Sequence, residues 1–122
     1  MNPYASPQAY RESSVLTASP EQLVVMLYDG DGRFLRQAEA ALAEGAYEHA
    51  HDRLNRGEAI IDELLATLDM SVGEIAERLQ ALYLFFKEHL MGARLNQDAA
   101  KIDEVARLMR ELRSAWGRIA GL

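Results

Sequence analysis

A chain of 122 residues, 49% of them hydrophobic, is expected to form one domain that buries about two thirds of its unfolded surface. Thirteen basic against nineteen acidic residues give a net charge of −6, which opposes binding to nucleic acid and to anionic membranes. The absence of cysteine excludes disulfides and thiol chemistry. No apolar run approaches the roughly 18 residues of a membrane span, and residues 1–10 lack the apolar core of a signal peptide, so a cytoplasmic protein without membrane insertion is expected. Aliphatic residues and alanine dominate while proline is scarce, the balance of an all-α protein.

Residues 1–18 are polar and carry Pro3, Pro7, Tyr4 and Tyr10, and they read as a flexible N-terminal tail or one short helix. Residues 19–122 form the folded unit. Ser19-Pro20-Glu21-Gln22 opens the first helix: Ser19 caps it, Pro20 sits where a missing N–H costs nothing, and Gln22 completes a capping box. The helix is expected from Pro20 to about Ala43, with a core stripe of Leu23, Leu27, Phe34, Ala38 and Ala41 and a stop at Gly45. Its stretch Leu23 to Tyr28 is apolar on every side, more than one core requires. A second helix follows from about Tyr47 to Leu68, with Tyr47, Leu54, Ile61, Leu65 and Leu68 inward. Ser71 with Glu74 reads as a second capping box for a third helix ending near Leu95. The fourth begins near Asn96 to Asp98 and carries a regular seam, Ile102, Val105, Met109, Leu112, Trp116 and Ile119. Four such helices with short connections predict an antiparallel up-down four-helix bundle behind a mobile tail.

The candidate chemistry is thin. Glu48 and His51 match half of a di-iron motif, but no second copy and no further inward glutamates accompany them, so His49 and His51 read as solvated. His89 suggests a phosphotransfer bundle, an alternative weakened by Gly92 where such domains usually carry a lysine. Asp29-Gly30-Asp31-Gly32 fails as a calcium loop because Arg33 and Phe34 fill the ligand and glycine positions. The two glycines read instead as points of close helix approach. No cofactor, metal or catalytic residue is expected, and hence no enzyme.

The third helix carries surplus apolar surface. Ile75, Leu79, Leu82, Phe86 and Leu90 share one face, while Leu84, Met91 and Leu95 fall opposite, with Phe85 to one side. Ile60 and Leu64 extend this surface from the second helix. Together Ile60, Leu64, Leu84, Phe85, Met91 and Leu95 read as a binding surface for an amphipathic helix or extended segment. Its occupant is either another polypeptide or a second copy of the chain, so a homodimeric structural bundle remains the alternative from a different class.

The chain resembles the flagellin export chaperone family, FliS. The resemblance is carried by Asn2-Pro3-Tyr4 and Tyr10, by Thr17 through Leu23, by Met26-Leu27-Tyr28-Asp29-Gly30 and Arg33-Phe34-Leu35, by Ile60 through Leu64, and by Leu68-Asp69, Leu82-Tyr83 and Leu112 through Trp116. Gly32 and Gly57 depart from the pattern, where a larger aliphatic and an alanine are usual. The resemblance implies a cytoplasmic four-helix chaperone that binds the C-terminal segment of flagellin, blocks premature polymerisation and presents the subunit to the flagellar type III export gate. It also implies that the tail covers part of the client surface, giving Tyr4, Tyr10 and Val15 a gating role.

Overall fold

A computed structural model describes residues 17–121. The described residues form four α-helices and no strand: α1 (Pro20–Ala43), α2 (Tyr47–Thr67), α3 (Glu74–Asn96) and α4 (Ala99–Ala120), with one 3-10 turn (Met70–Val72) before α3. Short connections make this an antiparallel four-helix bundle in which each helix packs on the next and α1 closes the ring against α4. Tyr4, Tyr10 and Val15 lie outside the described residues.

The ends of α1 follow from local chemistry. Ser19 Oγ accepts from the Gln22 amide at 3.1 Å, and the Ser19 amide donates to Gln22 Oε1 at 2.9 Å. At the other end Gly45 adopts φ +74°, its amide reaching the Leu42 carbonyl while Ala46 reaches back to Ala41, which closes the helix with a left-handed residue. The expected capping box at Ser71 does not form. Asp69 Oδ1 accepts from both the Ser71 amide, at 3.0 Å, and its hydroxyl, at 2.5 Å, drawing Ser71 into the 3-10 turn. Gly73, at φ +87°, then precedes α3 in a conformation that side chains resist. Asp98 caps α4 by accepting from the Ala100 amide at 3.0 Å.

The inward face of α1 differs from the expected stripe. Tyr28, Leu35, Ala38 and Ala41 are buried, as is Val25, whereas Leu23 is exposed and Leu27 and Phe34 are half-buried. Two phenols explain the rotation. Tyr28 and Tyr83 meet inside the core with their hydroxyls 2.5 Å apart, each satisfying the other's polar end. Burial pushes both phenols above the ordinary tyrosine range, Tyr28 the further, so neither ionises near neutral pH. Similar shifts of register occur elsewhere: Tyr47, Ile75 and Ile119 are exposed, while Leu64, Ala76, Tyr83 and Ala93 are buried.

The α1–α2 contact is close because glycines face it. A methyl group on Gly30 would lie 3.4 Å from Ile60 Cδ1, and one on Gly57 would lie 3.1 Å from Asp31 Oδ1. Gly32, by contrast, borders no neighbouring helix. Asp31 is fully buried beside Gly57, and neither carboxyl oxygen has a hydrogen-bond partner. Burial pushes its pKa well above the usual carboxylate range, so the neutral form is favoured in the fold.

Candidate functional site

A large recess among the described residues lies at the end of the bundle where α1 and α3 begin and α2 and α4 finish. Its volume is about 740 Å³. Leu23 and Val24 come from α1, Leu68 from the end of α2, Val72 from the 3-10 turn, Ile75, Ala76, Leu79 and Tyr83 from α3, and Leu112, Ala115, Trp116 and Ile119 from α4. Glu21, Thr67 and Asp69 add polar groups to this lining. Val72, Ile75 and Ile119 are exposed by 60%, 66% and 68%, an unusual density of bare aliphatic side chains around one concavity. The physical reason is geometric. The seam of α4 continues past the core here, so Trp116 packs against the core with one side in the recess while Ile119 stands exposed at its rim.

The groove offers apolar contact and no acid–base or nucleophilic constellation among the described residues. Nor do those residues hold a group of three or more acidic or histidine side chains suited to a metal. The suspected histidines are placed differently from expectation. His49 is exposed, but His51 is half-buried and its Nε2 is enclosed without a partner. His89 Nε2 meets Glu104 Oε2 at 2.8 Å, and its ring stacks on Phe85 with centroids 4.9 Å apart. That carboxylate would repel an approaching phosphoryl group.

The residues proposed for client contact divide into three groups. Leu84, Met91 and Leu95 stand exposed on the outer side of α3, with Phe85 half-tied to His89 beside them. Ile60 is half-buried against the core and against Gly30. Leu64 is a correction: it is fully buried in the core, because α2 turns it towards the bundle axis, and it cannot touch a client without opening the fold. Sequence reasoning missed the groove as a unit. A signal was present, since Pro20, Glu21 and Leu23, Leu68 and Asp69, Tyr83, and Leu112, Ala115 and Trp116 all belong to the family-like segments, and the fold gathers them around one recess.

The family model for the flagellar protein FliS matches residues 2–121. The chain belongs to the FliS family. Among its relatives, the flagellar secretion chaperone FliS of Salmonella typhimurium is 39% identical over 89% of this chain and 82% of its own. That of Bacillus subtilis is 33% identical over 94% and 84%, and that of Vibrio cholerae 35% over 92% and 86%. Membership in FliS makes this four-helix protein a flagellar export chaperone by family. No helix among the described residues is long and apolar enough to cross a membrane.

Proposed function

We propose that this FliS protein is a cytoplasmic holder of the C-terminal segment of flagellin. It keeps that segment from polymerising before export and assists its delivery to the flagellar type III secretion apparatus. The observation that carries the reading is the apolar groove of about 740 Å³, about half of whose lining comes from the segments that also carry the family likeness. An amphipathic helix laid in the groove would remove Val72, Ile75 and Ile119 from water, each Å² of apolar cover stabilising the complex by about 25 cal/mol. Ordering a disordered client costs about 2–5 kcal/mol in return, so binding is reversible without nucleotide.

The outer face of α3, with Leu84, Phe85, Met91 and Leu95, serves as a second contact for an elongated client. The tail gates the groove: the chain enters α1 through Pro20 and Glu21, which line it, so Tyr4, Tyr10 and Val15 are tethered within reach. Titrating a flagellin C-terminal peptide into the full chain tests the proposal, and absence of binding at micromolar concentrations rejects it. Deleting residues 1–16 is expected to speed peptide association, because a covered groove is competent for only a fraction of the time. Sedimentation across concentration separates this reading from the homodimer: a tight dimer unmoved by peptide favours the latter.

A further inference from the structure

A second recess, of about 480 Å³, runs between α1 and α4 and differs in character from the groove. Tyr28, Gly32, Ala106 and Met109 line it, together with the guanidinium side chains of Arg33, Arg36, Arg110 and Arg113. Arg33 and Arg36 are one helical turn apart on α1, as are Arg110 and Arg113 on α4, so each wall roots two cations about 4.5 Å apart along its axis. Asp29 is the lining carboxylate, and Arg113 Nε already holds it at 3.0 Å. Arg33, Arg36 and Arg110 make no ion pair or hydrogen bond among the described residues. Glu39 acts on Arg36 and Arg110 through its field alone. In a chain of net charge −6, this is a local positive excess that folding does not use.

We propose that this cleft docks an acidic amphipathic helix of a partner protein, with carboxylates flanking an apolar stripe. Carboxylates one turn apart on such a helix match the two arginine rows, where guanidinium groups bind them in bidentate fashion. The stripe between them covers the methylene stems of the arginines, because Tyr28, Ala106 and Met109 are almost wholly buried at the floor of the cleft. A nucleic acid suits the cleft less well, since the chain's overall charge repels a polyanion before it arrives. The chain's own tail lacks the complementary charge, because residues 1–16 hold Arg11 and Glu12 and no other charged side chain. None of the four arginines lines the apolar groove, so the site stands independently of the flagellin reading.

The test uses a fluorescein-labelled helical peptide with glutamates on both flanks of a leucine stripe, and its glutamine counterpart, titrated into the full chain. The glutamate peptide is expected to bind and to weaken with added salt, while the glutamine peptide does not bind. The double variant Arg33→Glu with Arg110→Glu is expected to lose about tenfold or more in affinity, with Arg33→Lys and Arg110→Lys recovering part of it. If circular dichroism shows the charge reversal to be misfolded, Arg33→Gln with Arg110→Gln replaces it. Equal binding of both peptides, or unchanged affinity in the folded variants, overturns the proposal. So does stronger competition by inorganic phosphate or a single-stranded oligonucleotide than by unlabelled acidic peptide. Salt-sensitive self-association without peptide binding assigns the cleft to a second copy instead. Flagellin-peptide binding by the same variants is expected to be unchanged, so failure at one site is distinguishable from failure at the other.

Discussion

The bundle-end groove and the outer face of α3 are both bare and apolar, yet they differ in how they are built. The groove is concave, and four helices and a turn each contribute a few side chains to it. The α3 face is convex, a stripe of Leu84, Met91 and Leu95 on one helix. A concave site covers its occupant from several directions and strips more water per side chain, whereas a stripe makes contact along one line. Equal exposure of individual residues therefore does not mean equal contribution to binding, and the groove is expected to be the stronger anchor.

Four experiments would break or sharpen this contrast. The largest effect belongs to a residue that is in neither site. Leu64→Ala is expected to destabilise the fold by about 2–5 kcal/mol, seen in chemical denaturation, because it empties space in the packed core. Little loss there would return Leu64 to the binding surface. Next, Val72→Asp with Ile75→Asp should weaken flagellin-peptide affinity roughly a hundredfold with the melting temperature nearly unchanged. The new carboxylates sit by the N-terminus of α3, where the helix dipole favours negative charge, so folding is not burdened. Leu84→Asp with Met91→Asp should cost about tenfold, measured in the same titration. A larger loss at α3 than at the groove would invert the ranking.

The smallest effect concerns Asp31, which lies at the α1–α2 contact and lines neither site. Its acidity is weakened in the fold by burial, so the folded state keeps a proton that the unfolded chain releases. The stability it permits is fully present below the unfolded carboxylate range, about pH 4, and falls as pH rises towards the elevated folded value. Asp31→Asn should remove that slope and stabilise the protein near neutral pH by about 1 kcal/mol, leaving peptide affinity at both surfaces unaltered. Parallel stability–pH curves for the two proteins would show that Asp31 is not the buried acid inferred here.

Helix existence and most boundaries were legible in the residues. Ser19, Pro20 and Gln22 open α1 where their cap chemistry requires, Gly45 closes it, and Asp98 starts α4, because each acts within a few residues of itself. The choice of inward face was less legible. Leu23 to Tyr28 is apolar all round, so periodicity cannot orient it, and the orientation is set by Tyr28 meeting Tyr83, 55 residues away. The same limit hid the burial of Asp31 beside Gly57, one helix further along the chain.

The exposed stripe on α3 was read from spacing, since a single helix carries it. The groove and the arginine cleft were not, since neighbours in each come from opposite ends of the chain. By itself the sequence determined four helices, the caps of α1 and α4, the bundle class and a resemblance to a chaperone family, all properties of local pattern or of whole-chain likeness. Only the tertiary structure decided which side of α1 faces inward, that Leu64 is core, and that Leu23, Val72, Ile75 and Trp116 share one recess. Burial and concavity arise between segments, from packing that no segment specifies alone.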